Sequence, residues 1–263
     1  MRRKNKLTVE DKEELQLAKT LLENPGIAAK ITNLIGRPVE KGFELLPADW
    51  QEKIGEVTTK TLLKVAEGTL LTMKDNSKKT TSNTWHKLGV VTSGGVGGFF
   101  GLPALIIELP ISTSIMLRSI TDIARSQGEE INTIESKLAC LEVFALGGES
   151  KEDNSTDTGY FVVRSALAKS VSETAEFIAS KGLIEEGSPI LLKFVVKIAQ
   201  RFGIQIGEKS AAQAMPIIGA AGGALINTLF IDHFQDMAKG HFIIRKLERK
   251  YDPDFIKKTY LEL

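Results

Sequence analysis

Apolar residues recur at helical spacing along most of the chain, and the apolar–polar alternation typical of strands is not seen. Thr8, followed three residues later by Asp11, resembles a capping box and predicts a helix that ends at residues 24–26. A short helix is predicted to end at residues 36–38, and another is predicted to end near Pro47. A longer helix begins there. The pattern therefore predicts an all-α, multi-helix fold.

Glycine, proline and capping residues mark the helix ends in the rest of the chain. Polar residues at 74–83 and 148–158 predict loops. Pro110 is expected to open a helix that runs through Arg125 and closes at Gly128, and Thr133 is expected to cap the next one, which closes at residues 147–148. Further helices fit residues 159–181, 189–202 and 208–214, and a last long helix opens at Pro216 and runs to about Lys250.

Two long stretches almost without charge stand out from this pattern. Residues 88–117 contain Glu108 as their single charge, and residues 210–231 contain none. A membrane-spanning helix needs about 20 apolar residues, so length alone would permit insertion. Their glycines, together with Pro103 and Pro110, favour instead two Gly/Pro-rich hairpins buried at the centre of the fold. Partial membrane insertion is the alternative, in which an ionised Glu108 would need a partner.

The glycines in these stretches form small-xxx-small pairs, which let two helix backbones approach closely. A leucine at residue 223 is therefore expected to overpack and to destabilise the fold by about 1–3 kcal/mol. The residues assigned to close helix packing are Gly94, Gly98, Gly101, Gly219 and Gly223.

Length and composition restrict the classes of protein. The 263 residues carry a net charge of +1, which gives no general attraction to nucleic acid. Cys140 is the single cysteine, so no disulfide forms within the chain, and a small buried role is expected. The N-terminus lacks the apolar segment of a signal peptide, which favours a cytoplasmic location. We divide the chain into an N-terminal helical extension, residues 1–83, and a helical domain, residues 84–263.

Basic residues concentrate near the C-terminus, at residues 239–258, where aromatic residues lie between them. Such a segment suits an anionic membrane surface, and the alternative is an ordinary solvated helix face. It predicts peripheral, salt-sensitive membrane association. The interleaved aromatic residues are Phe242, Tyr251, Phe255 and Tyr260.

One segment offers candidate chemistry, in which Asp232, His233 and Asp236 fall near one another on a helix. These side chains could bind a divalent metal, and the alternative is a buried polar network between helices that includes Asn227. His241 is expected on the opposite face. No Walker A or dinucleotide-binding motif is present, so no cofactor is predicted beyond that metal. The other candidate members of the polar cluster are Arg118, Asp122, Glu108 and Glu142.

A weak internal repeat relates residues 120–125 to residues 234–239, at an offset of 114. Both segments follow an apolar stretch that contains glycine and proline. The repeat predicts two similar helical hairpins packed about a pseudo-twofold axis.

The chain resembles the EcsC family, bacterial proteins named after a gene beside the ATPase and membrane subunits of an ABC transporter. The resemblance rests on ordered blocks at residues 94–110, 116–125, 140–148, 219–227 and 232–249, with Tyr160 and Arg164 between them. It implies an accessory protein of a transporter, in the cytoplasm or at the membrane, and it implies no defined reaction. Lys239 departs from the family pattern, in which an arginine is expected.

These observations favour a non-enzymatic helical accessory protein at the cytoplasmic membrane face. Its expected partners are the membrane surface and ABC transporter subunits, and nucleic acid is not among them. One alternative is a metal-dependent hydrolase that uses the Asp232 segment. The other is a helical protein that binds a lipid or a small molecule.

Overall fold

The computed structural model describes residues 6–23, 26–36, 38, 46, 49–72, 102–147, 159–181, 188–213 and 219–263. Within these ranges the chain forms nine α-helices and one 3-10 turn, Val143–Ala145, and no strand. The all-α prediction is confirmed. The helices are α1 (Val9–Leu22), α2 (Ile27–Ile35), α3 (Trp50–Thr72), α4 (Leu102–Ser126), α5 (Ile134–Glu142), α6 (Gly159–Lys181), α7 (Pro189–Gln213), α8 (Gly219–Lys250) and α9 (Pro253–Glu262).

Local capping signals determine several helix ends. The Thr8 hydroxyl accepts a hydrogen bond from the Asp11 backbone N–H at 3.1 Å, so the cap predicted for α1 is present. Thr133 caps α5 in the same way, through the Ser136 N–H at 3.2 Å. Gly36 ends α2 in the left-handed region, with φ of 66°. These ends follow from the sequence because a cap depends on only a few neighbouring residues.

Two helices are longer than the sequence predicts. α4 begins at Leu102 and carries Pro110 inside it, whereas the prediction began the helix at that proline. α7 is continuous from Pro189 to Gln213, whereas a break was expected between residues 202 and 208. In both helices buried side chains continue on either side of the expected break, as at Leu109 and Met116 of α4. Packing therefore outweighs the local cost of a proline or a glycine.

Several expectations fall outside the described residues. They are the loops at 74–83 and 148–158, the helix ending near Pro47, the opening of the last helix at Pro216, and Gly94, Gly98 and Gly101. The described remainder of the close-packing set is Gly219, where α8 begins, and Gly223, which is buried. α9, capped by Asp252, was not predicted.

α8 is the central helix, and α1, α2, α4 and α7 pack against it. α3 covers α4 and α7, while α6 covers α5 and α7. Side chains as distant in sequence as Leu15, Ile54, Phe144 and Phe234 share one hydrophobic cluster. The helices of the N-terminal extension therefore contribute to the same core as the rest. The boundary near residue 84 stays a prediction, because residues 73–101 are not described.

α4 and α8 lie side by side and run in the same direction. Gln235 on α8 donates to the Ser119 hydroxyl of α4 at 2.8 Å. Ten residues further along both segments, Arg245 Nε donates to Glu129 Oε1 at 3.0 Å. Both contacts join residues 116 positions apart, close to the offset of 114 in the weak repeat. The duplication and its pseudo-twofold axis stay predictions.

Glu108, the single charge in the first uncharged stretch, has a partner inside the fold. Lys209 Nζ of α7 lies 2.7 Å from Glu108 Oε1, and the two side chains are 1 % and 4 % exposed respectively. The Lys209 ammonium also stands over the Phe230 ring. Among the described helices, none is both long and apolar enough to cross a bilayer.

Candidate functional site

The three side chains predicted to bind metal do not converge. The His233 ring is fully buried and packs against the backbone of Gly147. Asp236 lies at the edge of the core, where Lys30 Nζ of α2 approaches its carboxylate at 3.4 Å. Across the described residues, no three His, Cys, Asp or Glu side chains lie close enough to hold a metal ion. The predicted metal site at Asp232, His233 and Asp236 is therefore not assembled there.

The structure places the members of the predicted polar network in different surroundings. Arg118 is exposed, and Asp122 pairs with Arg125 on its own helix at 2.6 Å. Asn227 accepts a hydrogen bond from Gln213 Nε2 at 3.4 Å. Helical periodicity places these residues on helices but does not say which neighbouring helix each one faces.

A buried polar network does form around the other histidine of α8. α8 continues through Gly240, so His241 is about 180° from Asp232, on the opposite face as expected, and about 80° from His233. Both rings are fully buried. His241 Nδ1 lies 3.1 Å from the Tyr160 hydroxyl of α6, and His241 Nε2 lies 4.0 Å from Glu142 Oε2 of α5.

Arg164 extends this network from α6 to the end of α8. Its guanidinium donates two hydrogen bonds to Glu248, at 2.8 and 3.0 Å, and a third to the Tyr160 oxygen at 3.3 Å. The bidentate pair of Arg164 and Glu248 is strong and fixes the geometry of both side chains. We call the five residues Glu142, Tyr160, Arg164, His241 and Glu248 the buried polar chain.

Burial determines which members of the buried polar chain carry charge. It raises the pKa of Glu142 to about 7, because a carboxylate loses hydration in the core. The same effect lowers the pKa of His241 well below its ordinary value, and the positive charges of Arg164 and Arg245 lower it further. Near neutral pH, His241 is therefore neutral and Glu142 is close to half-protonated.

A second ionic cluster lies beside the buried polar chain, at the turn between α4 and α5. Arg245 donates twice to Glu129, at 3.0 and 3.1 Å, and Arg249 and the Ser136 hydroxyl contact the same carboxylate. Burial tends to raise the pKa of Glu129, but the hydrogen bonds and charge of Arg245 outweigh it, so the pKa is lowered. Glu129 is thus held ionised and joins the α4–α5 turn to α8.

Sequence reasoning placed Glu142 and His241 in the candidate polar cluster but missed Tyr160, Arg164 and Glu248. One signal was available on α6. Tyr160, Arg164 and Leu167 follow one another at spacings of four and three residues, so Arg164 lies on the face that Tyr160 and Leu167 bury. A charge on a buried face requires a buried partner, although the sequence does not say which one.

Cys140 takes the role expected of it. Its side chain is fully buried on α5, and burial raises the pKa of the thiol to about 12. The thiol is therefore protonated and unreactive under ordinary conditions.

The basic C-terminal region does not form the aromatic and basic surface that the sequence predicts. Phe242, Tyr251 and Tyr260 are fully buried and belong to the core. Several of the basic residues are neutralised by other helices, since Lys246 contacts Glu14 at 2.7 Å and Lys250 contacts Asp11 at 2.6 Å. The aromatic part of the argument for membrane contact through this segment is therefore wrong, because those rings are not at the surface.

An uncharged strip of surface lies elsewhere, along the first turns of α4. Ile106, Ile107 and Ile111 are 53 %, 69 % and 49 % exposed. With Pro110 and Ser114 they occupy an arc of about 140° of the helix, and Glu108 turns inward from it to Lys209. We call residues 106, 107, 110, 111 and 114 the α4 stripe.

Two grooves line α7. One, of about 310 Å³, lies between α3 and α7 and is bordered by Gly55, Gly203 and Gly207. The other, of about 630 Å³, lies between α6 and α7 and is bordered by Lys169 and Lys193.

Comparison with known protein families gives a match to the family described as "EcsC protein family", over residues 10–247. The chain belongs to the EcsC family. The EcsC match begins at residue 10, 84 residues before the first block that carries the resemblance in the sequence, so it includes α1, α2 and α3. A search of curated proteins and a search of solved structures give no significant match.

The EcsC region contains nearly all of the features described above. The buried polar chain lies inside residues 10–247 except for Glu248, which follows the last matched residue directly. The α4 stripe and the Glu108–Lys209 pair are inside it as well. The two features are distinct: one is a buried ionisable network and the other is an exposed uncharged surface.

Proposed function

We propose that this EcsC-family chain is a non-enzymatic accessory protein that lies on the cytoplasmic face of an anionic membrane and contacts it through the α4 stripe. The observation that carries the proposal is the stripe itself: three exposed isoleucines on one helix face without a charge among them. An exposed apolar surface of this kind is a common contact site for a membrane or a protein.

The arrangement of charge around the α4 stripe supports a lipid surface as its partner. The one acidic residue of this segment, Glu108, points into the core and is neutralised by Lys209. Arg118 is exposed one turn beyond Ser114, where its guanidinium can reach the headgroups while its stem lies along apolar surface. An apolar strip with a cation at its edge suits the boundary between acyl chains and headgroups.

The second uncharged stretch also contributes exposed apolar surface. Leu225 of α8 lies within it and is 45 % exposed.

The expected binding is weak and reversible. Burying a fully exposed isoleucine contributes about 1.5–3 kcal/mol, so three half-exposed ones contribute about 3 kcal/mol, and one arginine near an anionic surface adds about 1 kcal/mol. A total of about 4 kcal/mol gives peripheral association without stable insertion. A protein held in this way can meet the subunits of an ABC transporter, the partner that the family resemblance implies.

Vesicle flotation of the full chain tests the proposal. The protein is expected to float with vesicles that contain a third anionic lipid, and to bind about fivefold more weakly at high salt, which screens the contribution of Arg118 and leaves that of the isoleucines. The triple variant Ile106→Ser/Ile107→Ser/Ile111→Ser should bind at least tenfold more weakly. Leu192→Ser, at a residue 39 % exposed on α7, is the matched control and should bind normally. Failure of the unaltered protein to float, or equal binding by the triple variant, would overturn the membrane contact.

The groove between α3 and α7 favours a second candidate function, the binding of an apolar small molecule. A Cβ atom added at Gly55 or at Gly203 would meet no atom within 4 Å, so these glycines border open space. Gly203→Leu should fill the groove and abolish binding of an apolar fluorescent probe. Gly68→Leu, a site on α3 that is equally open but outside the groove, should leave probe binding unchanged. Equal probe binding by both variants would exclude the groove.

A further inference from the structure

In the buried polar chain, the donor and the acceptor of each hydrogen bond from Arg164 through Tyr160 to His241 can be assigned. Arginine only donates, so the bond from Arg164 Nη1 to the Tyr160 oxygen makes that oxygen an acceptor. The tyrosine hydroxyl has one hydrogen of its own, and His241 Nδ1 lies 3.1 Å away. If Nδ1 carried a hydrogen and donated it, the buried hydroxyl hydrogen would lack an acceptor in this contact. Tyr160 therefore donates to Nδ1.

This direction sets the tautomer of the histidine. A neutral imidazole has one N–H, and since Nδ1 accepts, the hydrogen is on Nε2. His241 Nε2 has no hydrogen-bond partner among the described residues, although the ring is fully buried. The nearest carboxylate oxygen is Glu142 Oε2 at 4.0 Å, about 1 Å beyond hydrogen-bonding distance.

We propose that Glu142 and His241 form a proton-responsive contact between α5 and α8. When Glu142 is ionised, its carboxylate closes on His241 and accepts the Nε2 hydrogen. When the carboxylate takes up one proton from solvent, it loses this attraction and the contact relaxes to the 4.0 Å separation. Burial raises the pKa of Glu142 to about 7, so the change falls at physiological pH.

The charged groups around this contact leave Glu142 free to titrate. Arg164 of α6 is engaged in its two bonds to Glu248 of α8, and Arg245 of α8 is engaged with Glu129. Both arginines favour the ionised form of Glu142, whereas Glu248 disfavours it. From α9, the uncharged ring of Tyr260 packs against Tyr160, with the two ring centroids 6.2 Å apart.

A displacement of Glu142 moves a segment that is hydrogen-bonded to α7. Glu142 is the last residue of α5, and the 3-10 turn follows it immediately. Arg201 Nε donates to the Ala145 carbonyl of this segment, and Gln205 Nε2 donates to the Leu146 carbonyl, both at 3.0 Å. Protonation of Glu142 therefore acts on the segment against which α7 packs.

Nitrogen-15 NMR of the histidine rings in the full chain, between pH 5.5 and 8.5, tests the proposal. His241 should show a protonated Nε2 and an unprotonated Nδ1, and the Nε2–H signal should shift with a midpoint near pH 7. Glu142→Gln should abolish that midpoint. Glu130→Gln, which removes an exposed carboxyl, is the matched control and should leave it unchanged.

A second variant separates a proton-responsive contact from a merely structural one. Glu248→Gln releases Arg164, whose charge then favours ionised Glu142, so the midpoint should fall by at least half a pH unit. A protonated Nδ1 in the unaltered protein, the absence of a transition near neutral pH, or a midpoint that does not move in Glu248→Gln would each overturn the proposal. The Glu248→Gln result decides the matter even if Glu142→Gln does not fold.

Discussion

The ring of His233 occupies the space in which a side chain on residue 147 would begin. A Cβ atom added to Gly147 would lie 2.4 Å from His233 Cε1 and 2.7 Å from the Met237 sulfur. Gly147 also has a φ of 72°, a backbone conformation that residues other than glycine rarely adopt. Residue 147 therefore has two independent reasons to be glycine, and both arise where the chain leaves the 3-10 turn.

Gly147→Ala is expected to destabilise the protein by about 2–4 kcal/mol, from backbone strain and overpacking together. Gly128→Ala is the control, since Gly128 has a φ of 78° but its added Cβ would lie an acceptable 3.7 Å from Arg249. It should cost about 1–2 kcal/mol from strain alone. Chemical denaturation measures both. Equal losses would show that the His233 ring moves aside without cost.

His233 should make the protein less stable in acid. Burial lowers its pKa to about 3 in the folded state, and the charge of Lys30 adds to this effect, whereas the unfolded chain binds a proton near pH 6.5. The contribution of neutral His233 to the free energy of unfolding is therefore complete above pH 6.5. It is lost as the pH falls towards 3, by about 5 kcal/mol in total. His233→Leu should remove this dependence, as measured by denaturation at several pH values. An unchanged slope would place the acid sensitivity elsewhere.

Glu142 should have the opposite effect, over a higher range of pH. Its pKa is raised to about 7 in the folded state, from an ordinary value of 4.5, so its contribution is fully present below pH 4.5. It is lost as the pH rises through 7, and the loss amounts to about 3 kcal/mol. Most of this loss falls between pH 4.5 and 6.5, where His233 titrates with the opposite sign, and about 1 kcal/mol falls between pH 6.5 and 8, where His233 no longer titrates. Glu142→Gln should remove that remaining slope between pH 6.5 and 8. A slope that survives the substitution would contradict this account.

The Glu108–Lys209 pair should be costly to break and easy to replace. Glu108→Gln leaves a buried ammonium without its counter-charge and should destabilise the protein by about 3–5 kcal/mol. The double variant Glu108→Leu/Lys209→Met removes both charges and should recover most of that loss. A double-mutant cycle in chemical denaturation gives the coupling between the two residues. Additive losses would mean that each residue acts separately.

Gly240 and Gly203 are both inside helices, yet alanine should affect them oppositely. A Cβ atom on Gly240 would lie 2.6 Å from the Leu22 side chain and 3.1 Å from the Ala18 carbonyl oxygen, so Gly240→Ala should push α1 from α8 at a cost of about 1–3 kcal/mol. A Cβ atom on Gly203 meets nothing within 4 Å, and Gly203→Ala should stabilise the protein by about 0.5–1 kcal/mol. Thermal melts of the two variants distinguish these outcomes.

The sequence predicts the helix ends well where the signal is local. Thr8 and Thr133 cap helices that begin at the next residue, and Gly128 closes α4 with a positive φ, because each of these depends on neighbours a few positions away. The prediction fails at Pro110 and at Gly203, where a helix continues across a residue that usually interrupts one. Long-range packing decides those positions, and a single sequence does not contain it.

In the candidate site as well, the sequence predicts local features but not those that depend on long-range packing. His241 and Glu142 could be named as polar residues on apolar helices, but Tyr160, the partner of His241 on α6, is 81 residues away in the chain, and Glu142 and His241 are themselves on different helices. The sequence also suggested that Tyr251 and Tyr260 face a membrane, because basic residues surround them. Both rings are instead buried, since the basic residues reach around them to acidic partners on α1 and elsewhere.

The contact between α1 and the end of α8 joins segments that are 240 residues apart in the sequence. Asp11 accepts hydrogen bonds from the Tyr251 hydroxyl at 2.5 Å and from Lys250 at 2.6 Å, across 240 and 239 residues of sequence. During synthesis the first helix leaves the ribosome long before the segment that covers its apolar face has been made. The apolar side chains of Leu15 and Ala18 therefore stay uncovered, and accessible to chaperones, until α8 has been made. Folding of this core requires α8, and the long separation in sequence makes it slow.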